Sequence, residues 1–421
     1  MHKAQQLAAR AVGQVLAGRN LTQALEEIWR SHPHLAPQQR SITQDLSYGA
    51  LRHYGKLQAM LDGLLERPLD DDRVRCLLLV AMYQLEQGKA SDYAVVDQAV
   101  KAAAEFRKSW AKGLVNAVLR NFLRRCDTLL AGLAANETAL YSYPQWWINK
   151  LKQQYPEHWQ TMLEAGNRRP PMTLRVNGRR TTTTEYLQLL QQHGIDAKVL
   201  SDSAVLLSQA LPVEKLPGFS DGLVSVQDLG AQFAAPLLDV RDGMKVLDAC
   251  CAPGGKTGHL LELADVELTA VDSDAMRLDR TRSNLVRLGL KATLLTGDSG
   301  DSAAWWDGKP FDRVLADVPC SASGIIRRHV DIKWLRRERD IPGFSAQQAA
   351  ILRSLWKVLA NGGKLLYITC SVFLEENQQQ IDAFLQQQQD ARQLPLPNMS
   401  SGQLLPCEEH DGFFYALLEK I

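Results

Sequence analysis

The chain has 421 residues, a formal net charge of +1, 45% apolar residues and 23% charged ones. That length calls for two or three domains, and the composition is that of an ordinary globular protein, not of a disordered or fibrous one. The charge excludes a uniformly basic nucleic-acid binder, so any basic surface must be local, and no apolar run approaches the roughly 18–20 residues that span a bilayer.

The N-terminal "MHKAQQLAARAVGQVL" lacks the long apolar core of a secretory signal, so a cytoplasmic protein with no membrane partner is expected. Residues 1–130 predict a helical domain. "AQQLAARAVGQVL", "LTQALEEIW", "DRVRCLLLVAMYQLEQG", "AVVDQAVKAAAEF" and "KGLVNAVLRNFLRR" carry apolar residues at i, i+3, i+4, i+7. Asn20 is placed to cap the second helix, with Gln23 at the reciprocal position. Arg120, Arg124 and Arg125 share helical spacing near the end of this region and are candidate phosphate contacts; a solvated helix face is the plain alternative.

Residues 131–230 change character. Prolines 144, 156, 170, 171, 212 and 217 punctuate short strands such as "MTLRVN" and "AVLLS" around the helix "TEYLQLLQQHG". A small α+β module is expected, serving RNA binding or linkage.

In residues 231–421 strands and helices alternate: "KVLDAC", "ELTAVD", "ATLLTGD", "DRVLADVPC" and "KLLYITC" each run into a polar turn. That is the pattern of a doubly wound α/β sheet, whose ligands bind outside the carboxyl ends of the strands. Asp248, Cys250, Asp272, Asp298, Asp317, Cys320 and Cys370 close these strands and should share one crevice. The glutamine-rich "NQQQIDAFLQQQQ" keeps an apolar stripe at Ile381, Phe384 and Leu385, so it reads as an amphipathic helix.

The first strand is followed by "VLDACCAPGGKTGHLL", whose "GGKT" suggests a nucleotide-triphosphate loop. The full pattern needs a glycine where Cys250 stands, and Pro253 removes an N–H donor inside the would-be loop, so that reading fails. What remains is a tight Pro253-Gly254-Gly255 turn that lets a ligand approach the backbone of a helix N-terminus, where a carboxylate is well placed. Asp272 has the spacing suited to a ribose diol, and Asp298 suits an adenine amino group. A nucleoside that carries a carboxylate fits these three features, which points to S-adenosylmethionine; a dinucleotide would need the GxGxxG turn that is missing here. Helix-capping is the bland role for each Asp taken singly.

Of the seven cysteines, none forms a CxxC pair and no His spacing supports zinc, so no metal is expected. Cys76, Cys126 and Cys407 lie among aliphatic residues and read as small core fillers. Cys320 and Cys370 are different, because they follow strands beside Asp317. Methyl transfer to an exocyclic amine needs no thiol, whereas carbon 5 of a pyrimidine is too weak a nucleophile until a thiolate adds to C6. The site should favour the thiolate, with Lys256 and the arginines near residue 327 as cationic neighbours.

"DACCAPGGKT", "AVDSD", "DVPCSASG", "RRHVDIKW" and "YITCSVFLEEN" resemble the cytosine-5 RNA methyltransferases of the NOL1/NOP2/Sun family, and the helical region, notably "KGLVNAVLRNFLRR", resembles the NusB-type RNA-binding fold. Together the two resemblances span essentially the whole chain. They imply a multidomain protein with a NusB-like bundle, a middle α+β module and a Rossmann-like catalytic domain. They also imply a monomer that methylates carbon 5 of a specific cytosine in 16S rRNA with S-adenosylmethionine, through a covalent cysteine–C6 intermediate. On that pattern Cys370 is the nucleophile and Cys320 assists product release. Cys250, Cys251, Ala252, Pro253, Gly254, Gly255 and Lys256, with Asp272, Asp298 and Asp317, would hold the cofactor and position the base, Lys256 and Asp317 also serving the chemistry. The family's commonest motif has alanine at Cys251 and Val318 and proline at Val330; none of these departures removes a group that the chemistry needs.

"IIRRHVDIKWLRRERD" places Arg327, Arg328, Lys333, Arg336, Arg337 and Arg339 around Trp334. The cations are expected to meet RNA phosphates, while Trp334 either stacks on a base or, more commonly for such a residue, anchors the segment in a core. Two rivals remain. A DNA cytosine-5 methyltransferase would use Cys320 as nucleophile, and an RNA-binding assembly factor would carry the methyltransferase fold idle.

Overall fold

The computed structural model describes residues 2–397, 399 and 401–421. These form two compact units: the chain up to Arg169 together with Ile326–Glu338, and Pro170–Ile325 together with Arg339–Ile421.

The first unit is helical. Helix Asp72–Gln87 is apolar nearly all round, with Val74 and Cys76 through Leu85 buried, so it occupies the centre of the bundle. Helices His2–Leu16, Pro37–Arg52, Asp92–Ala104 and Ala111–Gly132 pack around it with one apolar face each. Gly49 is where a helix meets Tyr83: a Cβ there would lie 1.9 Å from the tyrosine ring. Asn20 caps helix Leu21–Ser31 by accepting from the backbone N–H of Thr22 and Gln23. Three further helices, Glu137–Tyr141, Gln145–Gln154 and Trp159–Asn167, also belong to this unit. The expected boundary at residue 130 therefore falls inside a continuous helical body.

The second unit begins with a four-stranded antiparallel sheet made of β1 (Met172–Val176), β2 (Ala197–Ser201), β3 (Ala204–Leu207) and β4 (Val224–Val226), in the order β2-β3-β1-β4. Helix Thr183–Gln192 starts from a Thr182/Glu185 capping box and packs Tyr186 and Leu190 into this module. The larger sheet holds β5 (Lys245–Ala249), β6 (Glu267–Asp272), β7 (Thr293–Thr296), β8 (Phe311–Asp317), β9 (Leu359–Thr369), β10 (Ala391–Leu394), β11 (Gln403–Leu404) and β12 (Phe413–Lys420). Its order is β10-β12-β9-β8-β5-β6-β7, with β11 against β12. β9, β8, β5, β6 and β7 run parallel, and β12 returns antiparallel beside β9.

The five expected strands of this domain are all present, as is the glutamine-rich helix at Gln378–Gln387. β12 carries no alternating pattern, because its first six residues are buried; a strand covered on both faces reads simply as an apolar run. The strand order reverses between β5 and β8, which fixes where a ligand crevice opens. No helix among the described residues is long and apolar enough to cross a membrane.

Candidate active site

β5 ends in a turn with two residues in the left-handed region, Cys250 (φ 62°) and Gly254 (φ 89°). A Cβ at Gly254 would lie 2.7 Å from the Thr281 methyl, so glycine is required there twice over. The turn is tied to β6 and the helix beyond it. Cys251 N donates to Val271 O at 3.0 Å, Ala252 N to Asp272 Oδ2 at 3.0 Å, and Arg277 Nη2 to Ala252 O at 2.7 Å. Asp272 is buried and also accepts from Asp274 N at 3.0 Å, so the carboxylate suggested for a ribose is an anchor of the loop as well.

Among the described residues no side chain caps helix Gly255–Leu263, so its first-turn N–H groups suit a ligand. Asp298 is exposed after β7, its Oδ1 bonded to Gly300 N at 2.8 Å and its carbonyl to Trp305 Nε1 at 2.9 Å. Behind the turn, Asp248 accepts from Thr257 Oγ1 at 2.6 Å, while its Oδ1 has no partner among the described residues. Burial pushes the Asp248 carboxyl up to about 7, against the pull of the Thr257 hydrogen bond. An uncapped helix end suits the carboxylate of a nucleoside that carries one, and the exposed Asp298 suits its amino group.

Lys256 reaches across to β8, its Nζ 2.6 Å from Asp317 Oδ2. Burial works against the ammonium most strongly, but Asp317, with smaller help from the charges of Cys370 and Asp248, outweighs it and holds the Lys256 pKa above the ordinary lysine value. Just beyond the ends of β8 and β9, Cys320 Sγ and Cys370 Sγ stand 3.3 Å apart as free thiols. The hydrogen bond with Cys370 comes first in pushing the Cys320 thiol far above its usual range, followed by burial.

Three further cysteines have distinct settings, and only Cys407 differs from expectation. Cys251 is buried in the apolar cluster below the turn, so its backbone, not its thiol, serves the loop. Cys250 sits 3.7 Å from Ser299 Oγ, and burial pushes its thiol up to about 12 against that hydrogen bond, the opposite of an activated thiol. Cys407 is exposed and not a core filler, unlike the buried Cys76.

The basic segment after the Cys320 loop requires a larger correction. Ile326–Glu338 folds into the helical unit. Arg327 and Lys333 are buried there and do not face solvent. Lys333 Nζ donates to Arg52 O and Asn167 Oδ1, both at 2.8 Å, and lies 4.3 Å from the centre of the Tyr143 ring. Burial drives its pKa well below the lysine range. Asp331 accepts from Leu21 N at 2.9 Å at the N-terminus of a helix, and Trp334 Nε1 donates to Leu51 O at 2.8 Å. Arg328 and Arg336 are half-buried; Arg337 is exposed, as are Arg120 and Arg124 on helix Ala111–Gly132. The charge of Lys333 suggested a surface, whereas its hydrogen-bond partners lie on elements far away in the chain.

Sequence reasoning missed Arg175. From β1 it donates Nε and Nη2 to the two oxygens of Glu262 at 2.9 and 2.8 Å, both side chains being almost wholly buried, and Nη1 to Gly255 O at 2.7 Å and to Gln227. The small sheet thus supports the back of the β5 turn. A strand pattern shows that position 175 lies in β1 but not which face carries a charge. Among the described residues, no group of three or more His, Cys, Asp or Glu side chains could hold a metal ion.

A parallel sheet with an open glycine turn after its first strand and acidic strand ends beyond it is the framework of the doubly wound methyltransferases. Residues 235–419 match the family described as 16S rRNA methyltransferase RsmB/F, residues 143–214 the ferredoxin-like domain of RsmF/B-like methyltransferases, and residues 2–124 the NusB family. The chain is 43% identical to the ribosomal RNA small subunit methyltransferase B of Pseudomonas putida, with 98% of each chain covered. It is 42% identical to the protein of that name from Escherichia coli, again with 98% of each covered. The crystal structure of PH0851 has the same fold over 100% of this chain and 99% of its own, with a TM-score of 0.81 at 24% identity. This chain belongs to the 16S rRNA methyltransferase RsmB/F family.

Proposed function

We propose that the protein transfers a methyl group from S-adenosylmethionine to carbon 5 of a cytosine in 16S rRNA, through a covalent bond between Cys370 and C6. The observation that carries this reading is the pair of sulfurs 3.3 Å apart beside the Lys256–Asp317 ion pair. Transfer to an amine or a hydroxyl would use neither thiol.

The uncapped turn from Cys250 to Lys256, with Asp272 and Asp298, suits the cofactor, which when bound supplies an electrophilic methyl group. The cytosine must leave its stack to enter the crevice. Cys370 then adds as thiolate, forming the S–C6 bond and shifting the C5–C6 electron pair towards C5. Lys256 and Asp317 hold the base and balance the charge that the ring takes up. After C5 is methylated, a base takes its proton, the C5–H electron pair re-forms the C5–C6 double bond, and the S–C6 pair leaves with the Cys370 sulfur, which Cys320 protonates as the neighbouring acid. The exposed Arg120, Arg124 and Arg337, together with the helical unit and the small sheet, serve RNA selection.

Incubation with labelled S-adenosylmethionine and separate 16S rRNA and DNA substrates, followed by bisulfite mapping, tests the proposal. Label on one cytosine of the rRNA supports it. Label on DNA favours the rival enzyme, and an absence of label on any cytosine refutes the reading.

A further inference from the structure

Glu376 has no role in the chemistry described so far, yet its side chain is fully buried between the two thiol-bearing loops. Oε1 accepts from Ser321 N at 2.8 Å and from Gln348 Nε2 at 3.0 Å. Oε2 accepts from Ser321 Oγ at 2.5 Å and Ser371 Oγ at 2.6 Å. Ser321 follows Cys320 and Ser371 follows Cys370, so one carboxylate holds the immediate neighbour of each sulfur. Gln348 extends the clamp by donating to Pro319 O at 2.9 Å, on the other side of Cys320. The Cys370 loop is fixed from beneath as well: Asn377 Nδ2 donates to Ser371 O at 2.9 Å, and Ser323 Oγ lies 2.9 Å from Ser371 Oγ.

A buried carboxylate is costly unless its lone pairs are filled. Here four donors fill them, and three of the four come from the residues beside the sulfurs. Neither loop belongs to regular structure at these positions, and a thiol on such a loop would otherwise sample many positions. A sulfur–sulfur separation of 3.3 Å between free thiols has to be imposed by the backbone that carries them.

We infer that Glu376 is the positioning residue that holds Cys320 and Cys370 in register, an inference that rests on the thiol chemistry proposed above. Glu376 touches neither sulfur and acts through Ser321 and Ser371. Its charge also adds, after the Cys370 hydrogen bond, burial and the Cys370 charge, to raising the Cys320 pKa.

The test uses the full chain with Glu376→Ala and Glu376→Gln and follows three readouts. These are S-adenosylmethionine affinity by calorimetry, kcat and KM on rRNA, and bridging of Cys320 to Cys370 by dibromobimane, located by peptide mass spectrometry. In Glu376→Ala, kcat should fall about a hundredfold at unchanged KM, because reacting groups misplaced by an ångström lose rate and not binding. Bridging should fall in parallel, with cofactor affinity kept to within about twofold. Glu376→Gln keeps the volume but turns an N–H toward one pair of donors, so its losses should be intermediate, and it decides the matter if the alanine variant does not fold. Wild-type kcat and bridging in either folded variant would overturn the inference. So would a joint loss of cofactor affinity, bridging and kcat, which is the mark of a general structural role. If Cys370→Ala still methylates rRNA, the thiol chemistry fails, and bridging in the Glu376 variants still decides whether the clamp exists.

Discussion

Replacing Arg175 with methionine would break the best-defined buried ion pair in the second unit. The Arg175 and Glu262 side chains are 1% and 2% exposed, so the orphaned carboxylate cannot be rescued by water. Removing one partner of such a pair costs about 3–5 kcal/mol. The loss should be near the upper end, because Gly255 O and Gln227 also lose their donor. For a unit of this size, each kcal/mol lowers the midpoint by about 2–4 °C, so thermal unfolding of this unit should begin roughly 10 °C or more below wild type. Gly255 opens the helix that the cofactor loop leads into, so affinity for S-adenosylmethionine should fall as well. The control is Arg175→Met with Glu262→Leu: an apolar pair leaves no buried charge, and most of the lost stability should return. The double variant separates burial of an unpaired charge from simple loss of packing. Calorimetric unfolding curves of the three proteins, with cofactor titrations, provide the measurement. A double variant no more stable than the single one, or a single variant with an unchanged midpoint, would refute the reasoning.

Cys370→Ala should abolish both methyl transfer and any covalent RNA adduct, while Cys320→Ala should still attack and methylate but stall at release, leaving an adduct that survives denaturing electrophoresis; the reverse pattern would make Cys320 the nucleophile. Asp272→Ala removes an acceptor of two loop N–H groups, so cofactor affinity should drop about ten- to a hundredfold, and an unchanged calorimetric dissociation constant would remove Asp272 from the site. Asp248 has a folded-state value of about 7 against 3.8 for the free side chain. The folded chain therefore holds the extra proton between those values, and the wild type loses stability as pH rises through that window. Asp248→Asn has no proton to lose, so its stability relative to wild type should improve by on the order of 4 kcal/mol from acid to mildly alkaline pH, and a difference that stays flat with pH would refute burial as the cause. Lys333→Met should leave the salt dependence of rRNA binding unchanged, whereas Arg120→Ala with Arg124→Ala should flatten it by up to about two counter-ions; a flattened slope for Lys333→Met would return that residue to the RNA surface.

Local chemistry made much of this protein legible from its residues alone. Helical spacing marked the bundle, polar turns after apolar runs marked β5 to β9, and a Pro-Gly-Gly turn after β5 marked where a ligand approaches the backbone, because each depends on neighbours within a few positions. The thiols at 320 and 370 were visible as residue types at strand ends. Their separation was not, because it depends on β8 and β9 lying side by side. Only the tertiary structure decided which charges are buried. Lys333 and Arg327 look like phosphate contacts in a basic segment, yet both are buried, and Lys333 finds its neighbours at residues 52, 143 and 167. Arg175 looks like one alternate residue of a strand, yet Glu262 and Gly255 claim it from a helix about 80 residues on. Glu376 has its donors at 321, 348 and 371. Burial of a charge is set by partners brought together across long stretches of chain, and no local pattern encodes them.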